Sequence, residues 1–199
     1  MKRIGPFIIF CIFCSLNVSA QIPSFEDSIL TFQTNYVDSH GVVKNSDKAF
    51  LTFYKADKDY RVIANFKKIT DKKGFDMYTS EGKTTKHFVY GSLSFTIHDT
   101  LQHLYVYQSE MLMNNKDYFD YLFVPFGDAS SGFDSYGGGR YLDFRMNDIK
   151  TDRLLIDFNK AYNPYCAYTT GYNCPLPPKE NLLIIRIAAG EKSYGKPMH

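Results

Sequence analysis

The residues best suited to chemistry lie in the last third of the chain. Arg140 directly follows three glycines in "YGGGR", 136–140, with Tyr136 ahead of them. Consecutive glycines can turn several backbone N–H groups toward a carboxylate or phosphate. A guanidinium beside them suits a planar anion. The same glycines also serve a simpler end, letting a strand be entered through positive φ. Further on, Asp157 and Asn159 lie two apart in "RLLIDFN", 153–159. On a strand that spacing puts both on the face that Leu155 shares. Polar groups that continue an apolar face need partners, and Arg140 is the natural partner for Asp157. Two readings follow: a ligand site, or a hydrogen-bonded network that ties the next loop to the body of the fold.

That loop, "AYNPYCAYTTGYNCPLPPKEN", 161–181, holds two cysteines, four prolines and four tyrosines. Asn163, Glu180 and Asn181 bring further polar groups to its two ends. Its prolines stiffen it, and Cys166 with Cys174 can close it. The start of the chain bears on that pairing. Lys2 and Arg3, the apolar run "IGPFIIFCIFC", 4–14, and "VSA", 18–20, form a signal peptide with cleavage before Gln21. The run is too short to span a bilayer, so no integral membrane segment is expected after cleavage. An exported chain, periplasmic or secreted, with two cysteines close in sequence favours a disulfide. Cys11 and Cys14 fall within the leader.

Other chemistries find little support. Lys2 and Arg3 account for the whole net charge of +2, so residues 21–199 are formally neutral and no basic patch for nucleic acid is expected. The chain has no H-E-x-x-H, G-x-S-x-G or G-x-x-x-x-G-K-[ST] motif. His87, His98 and His103 cluster about one hairpin, and His40 and His199 stand alone, without a third ligand at metal-binding spacing. Neither a metal nor a cofactor is expected. Asp143, Asp157, Glu180 and Glu191 are candidates for acid–base work. A thiolate at Cys166 or Cys174 would need a base and a lowered pKa, and no histidine is near in sequence.

These residues need a β scaffold. "SFEDSILTFQTNYVDS", 24–39, has near-helical apolar spacing and a Ser24–Asp27 start signal. After it the period changes to two. Strands are predicted at 49–56, 60–69, a hairpin over 86–109, 121–128, 140–146 paired with 153–159 across "NDIKTD", and 181–192. Pro125 marks an edge or a bulge. The expectation is one domain over 21–199: a mainly β, antiparallel barrel or sandwich of about eight or nine strands with one N-terminal helix.

Two blocks, "YLFVPFGDASSGFDSYGGGRYLDF", 121–144, and "LLIDFNKAYNPYCAYTTGYNCPLPPKENLLIIRIAAGEK", 154–192, resemble the DUF1684 family, a bacterial family of unknown function. Its pattern runs "PF.D.T.G..TY..GRYL", then "DFN.AYNP.CAY…CPLPP.ENRL", then "AGE". Ser130 and Ser135 stand where the pattern has threonine, and Leu183 where arginine-leucine is usual. The resemblance implies a shared fold and site but supplies no activity. Carried across, its motif positions include Tyr136, Gly137, Arg140, Tyr141, Asp157, Asn159, Tyr162, Asn163, Cys166, Cys174, Pro175, Glu180, Asn181 and Glu191.

The leading expectation is an exported protein that binds a small polar or anionic ligand. Its pocket lies between the 128–140 and 160–181 loops. Arg140 holds an anion, Asn159 and Asn163 set orientation, and Tyr136, Asp157, Glu180 and Asn181 complete the site. The alternatives are a hydrolase using carboxylates or a thiol at the same place, and a non-catalytic interaction module of the cell envelope. Oligomeric state is left open.

Overall fold

The computed structural model describes residues 23–196. The expected leader, 1–20, and His199 lie outside them. Helix α1, Phe25–Ser39, starts at Ser24 with the reciprocal cap its sequence announces: Ser24 Oγ accepts from Asp27 N–H, and the Asp27 carboxylate accepts from Ser24 N–H.

Seven antiparallel strands follow: β1 (Arg61–Lys68), β2 (Phe75–Tyr78), β3 (Thr84–Ile97), β4 (Thr100–Ser109), β5 (Tyr121–Phe126), β6 (Arg140–Arg145) and β7 (Arg153–Asp157). A short helix, α2 (Glu110–Met113), separates β4 from β5. The strands form one sheet in the order β6-β5-β4-β3-β1-β7, with β2 paired to β3, curled into a half-barrel. The hairpin expected over 86–109 is β3–β4. His98 and Asp99 turn it with positive φ, which Asn, Asp and His tolerate better than most residues.

Period-two patterning sorts side chains onto two faces. Leu93, Phe95, Leu104, Val106, Leu122, Val124, Phe126, Leu142, Leu154 and Ile156 fill the main core with Phe158. The intervening residues of β4, β5 and β6 join Met77 of β2 in a second, largely aromatic cluster: Met77, Tyr107, Phe123 and Tyr141, flanked by Phe75, Tyr105, Tyr121 and Tyr162. The central strands are therefore covered on both sides. The cover on the aromatic side is the 161–181 loop.

Four features differ from the expectation. Residues 49–56 are not a strand: a 3₁₀ turn, Asn45–Phe50, precedes a single bridge from Phe53 to Glu191. Residues 181–192 also carry no regular strand, only bridges such as Gly127–Leu182. Both segments read as apolar alternation because they are buried on one side, but each lies on the barrel without a continuous neighbour. β2 was unforeseen, being only four residues long. Finally, β6 and β7 do not pair. β6 pairs β5, β7 pairs β1, and the two form opposite edges of the half-barrel. "NDIKTD" spans that open seam, as a 3₁₀ turn Met146–Asp148 and a Lys150–Arg153 bridge.

Pro125 does not mark an edge: β5 runs between β4 and β6, and Pro125 pairs with Tyr141 of β6 in unbroken register. β4 and β5 share one register pair, Tyr107–Phe123. Where their ladder fails, the Asn181 side chain takes its place: Oδ1 accepts from Tyr105 N–H at 2.7 Å, and Nδ2 donates to the carbonyls of Tyr105 and Pro125. A carboxamide has the donor and acceptor of a peptide group, so a buried asparagine can complete a ladder where proline has no N–H.

Candidate functional site

The 161–181 loop is pinned at both sides of the aromatic face. Thr79 bridges Pro175, Ser80 N–H donates to the Cys174 carbonyl, and Leu176 N–H donates to Tyr78, so the loop is docked on β2. Tyr141 and Tyr162 exchange backbone hydrogen bonds, which docks its start on β6, and the Tyr141 hydroxyl donates to the Pro175 carbonyl. Cys166 and Cys174 form the disulfide. Thus neither cysteine is a free nucleophile in this state.

Between this loop and the C-terminal end of α1 lies a cavity of about 470 Å³. Tyr36, His40, Tyr141, Tyr162, Asn163 and Tyr165 line most of it, with Cys174 and Pro175 on the loop side. No lysine, arginine, aspartate or glutamate lines it. His40 ends α1 and is followed by Gly41, which sits so close to Tyr165 that a Cβ there would lie 2.5 Å from the Tyr165 hydroxyl. Glycine is what lets the phenol close over the histidine.

Beside the cavity is a buried acid. Glu191 is fully enclosed, and its carboxylate accepts from Tyr168 Oη at 2.7 Å, Asn163 N–H at 2.8 Å and Tyr36 Oη at 3.2 Å. Burial pushes its pKa up to about 7, against the three hydrogen bonds, which pull it down. Burial and the same carboxylate raise the phenols of Tyr36 and Tyr168, so both stay protonated. Tyr36 belongs to both places: its ring lines the cavity and its hydroxyl reaches Glu191.

Two buried polar atoms here have no partner among the described residues, His40 Nε2 and Asn163 Oδ1. The His40 ring is held edge-on to Tyr168 and Tyr36, with centroids 4.6 and 5.3 Å apart. Its Nδ1 accepts from Val43 N–H at 2.9 Å. Burial, then the nearby Lys44 and Lys48, lower its pKa, so the ring is neutral and its proton sits on Nε2. Asn163 donates Nδ2–H to the Lys192 carbonyl, which leaves Oδ1 as the free acceptor. One donor and one acceptor are therefore unspent in the wall of a tyrosine-lined cavity.

The residues singled out from the sequence separate into three groups. Of the expected ligand-binding residues only Asn163 lines this cavity, beside the motif positions Tyr141, Tyr162, Cys174 and Pro175. Arg140 is a buried strut, 0% exposed. Its Nη2 donates to Asp128 at 2.8 Å and to the Ile187 carbonyl, and its Nη1 donates to the carbonyls of Ala189 and Glu191. Asp128, not Asp157, is its acid partner. Asp157 instead lies 3.8 Å from Arg61 and accepts from Asn159. Asn159 ties β7 to the segment before β1, through both backbone groups of Asp57. Asn181 completes the β4–β5 ladder.

The 128–140 and 176–183 segments do meet, around a hollow of about 380 Å³ floored by Gly137–Gly139, Leu176, Pro177 and Leu183. Arg140 does not line it. Gly139 answers the question of the glycine run. At φ +83°, its missing Cβ would lie 2.5 Å from Pro177 and 2.7 Å from the Phe126 carbonyl, so the residue lets β6 begin beneath the proline. Tyr136 is half-buried nearby, and Glu180 lies on the far side of the loop, in another hollow. Among the described residues, no three His, Cys, Asp or Glu side chains converge as metal ligands would.

The model of a family described as "Protein of unknown function (DUF1684)" matches residues 49–192. The chain belongs to the DUF1684 family. The match takes in β1 to β7, Asn163, the disulfide and Glu191, while Tyr36 and His40 come from α1, ahead of it. A solution NMR structure of an uncharacterised protein from Haloarcula marismortui is similar at 30% identity and a TM-score of 0.62. The alignment covers 84% of this chain and 95% of that one. No curated protein matches the chain.

His40, Tyr36 and Tyr168 were not foreseen as site residues. No local signal marks His40, a lone histidine at a helix end, because what makes it distinctive comes from loops more than a hundred residues away. Glu191 was legible as one of several acids and as a motif position of the family resemblance.

Proposed function

We propose that this DUF1684 protein binds a small, uncharged polar ligand in the cavity between α1 and the 161–175 loop. The observation that carries the reading is a cavity lined by tyrosines and no charged side chain, with two buried, unpartnered groups of opposite sense, His40 Nε2–H and Asn163 Oδ1, on residues of its wall. A buried donor and acceptor that lack partners are costly unless something bonds them. Tyrosine faces suit the flat, partly apolar surface of a ring that also carries hydroxyl or amide groups. A cavity of about 470 Å³ is of the size that holds one such molecule. The enclosure of Arg140 argues against an anion as the occupant. Export is part of the proposal, supported by the leader-like residues 1–20 and by a disulfide, which persists in oxidising compartments.

The test uses backbone amide NMR with a probe set of N-acetylglucosamine, glucose, glucuronate and inorganic phosphate. Neutral probes should shift signals of residues 36–41 and 163–175, and Asn163→Ser and His40→Phe should abolish the shifts. Shifts caused by glucuronate or phosphate alone, or confined to the 128–140 segment, would sink the proposal.

One observation supports a catalytic extension. Tyr36 links the cavity to a carboxyl whose pKa is about 7, the range in which an acid–base group works best at neutral pH. In that reading Tyr36 passes a proton between ligand and Glu191. Glu191→Gln would then remove turnover of a bound substrate while leaving its binding intact.

A further inference from the structure

On the other side of the 161–181 loop is a second concavity, of about 630 Å³, whose chemistry is different. Its wall is aromatic: Phe75 from β2 and Tyr105 and Tyr107 from β4. The Phe75 and Tyr107 centroids are 5.4 Å apart with planes at 60°, and those of Tyr105 and Tyr107 are 6.5 Å apart at 37°. The three rings lie close together and inclined to one another in the wall of one hollow. Two carboxylates, Asp71 and Glu180, stand on the rim, and no lysine or arginine lines the hollow.

The two acids are differently placed. Asp71 accepts backbone N–H bonds from Gly74, Val89 and Lys73, which, with a smaller influence of the Lys86 charge, hold its pKa below the ordinary carboxylate value, so it stays ionised. Glu180 lies near enough to Tyr107 that its charge adds to burial in raising the phenol's pKa. Its cationic neighbour is Lys179, at 3.9 Å with a largely exposed side chain, a weak counter-charge. Tyr107 is 2% exposed and lines the hollow.

Ring faces are electron-rich, and together with carboxylates they form the surroundings that a bulky, weakly hydrated cation prefers to water. Compact ammonium and metal ions gain less, because they give up strong hydration and meet few oxygen ligands here. The protein's own cations sit over other rings: Lys58 and Arg61 over Phe25, Lys68 over Tyr90, Lys160 over Phe32. We propose that Phe75, Tyr105 and Tyr107, with Glu180 and Asp71, form a binding site for an organic ammonium group of the methylated or quaternary type. The site is separate from the α1 cavity and independent of the ligand proposed there.

The probe is choline chloride, compared with 3,3-dimethylbutan-1-ol, its uncharged isostere of nearly the same shape. Binding to the oxidised full-length domain is followed by amide NMR. Choline should saturate in the millimolar range and shift signals of residues 71–75, 105–107 and 178–180, while the isostere should bind at least fivefold more weakly. Glu180→Gln, a surface change, should weaken choline about fivefold and flatten its salt dependence. Tyr105→Leu should weaken it similarly while keeping an apolar side chain in place. Equal affinity for choline and the alcohol would reduce the hollow to an apolar depression and overturn the proposal. So would unchanged affinity in a folded Glu180→Gln protein, or no saturable binding by 50 mM.

Discussion

Glu191 should make the protein lose stability as the pH rises through the slightly acidic range. In the folded state its carboxyl holds a proton to about pH 7, against an ordinary value of 4.5. Below pH 4.5 both folded and unfolded forms are protonated, and the contribution is at its full value. Between 4.5 and 7 the unfolded chain releases a proton that the folded one keeps, so rising pH favours unfolding. Above 7 both are ionised and the slope vanishes. At 1.36 kcal/mol per unit, the span corresponds to about 3 kcal/mol. The buried His40 and His87, whose pKa values are lowered, act with the opposite sign: their contribution is lost as pH falls. A difference measurement removes them. Glu191→Gln supplies a neutral group that can still accept from Asn163 N–H and donate toward Tyr168. Urea denaturation of both proteins from pH 4.5 to 8, followed by near-ultraviolet circular dichroism of the tyrosines, gives two stability curves. The variant should gain about 3 kcal/mol on the wild type by pH 7 and then run parallel to it. A difference that stays constant to within about 0.5 kcal/mol across that range would refute the assignment of a buried, protonated Glu191.

Arg140→Ala should cost about 3–5 kcal/mol, because it strands the Asp128 carboxylate and three carbonyls in the interior. Chemical denaturation checks this, and a loss below 1 kcal/mol would return Arg140 to a surface role. Asn181→Ala should cost about 2–4 kcal/mol by leaving the Tyr105 N–H and two carbonyls unpaired, with hydrogen exchange rising first at Tyr105. Reducing the Cys166–Cys174 disulfide should lower stability by about 2–3 kcal/mol, the loop-closure value for so small a ring. It should also loosen the 166–174 wall of the α1 cavity, read as faster amide exchange there than in β3.

Much of the scaffold was legible because its signals are local. The Ser24–Asp27 cap and apolar spacing mark α1, and alternation marks β1, β3, β4 and β5. The failures share one cause. Residues 49–56 and 181–192 alternate as strands do, but a strand is completed by its neighbour's hydrogen bonds, and theirs is irregular. "NDIKTD" reads as a hairpin turn because its flanks are both strands. Only the curl of the sheet shows that β6 and β7 belong to opposite edges.

The candidate site follows the same division. The sequence by itself determined that the 161–181 loop is stiff, able to close on itself, and flanked by polar residues, since proline, cysteine and asparagine act through their own covalent chemistry. It could not determine which polar residues do structural duty. Arg140, Asp157, Asn159 and Asn181 look like ligand groups in one dimension, and the tertiary structure makes each a bonded strut, because Arg140, Asn159 and Asn181 satisfy backbone groups of distant segments and Asp157 meets Arg61 of β1. Conversely, Tyr36 and His40 acquire their interest only when α1 is laid against Glu191 and Tyr168. Burial turns an ordinary glutamate into a group titrating near neutrality, and burial is a property of the fold rather than of any short stretch of sequence.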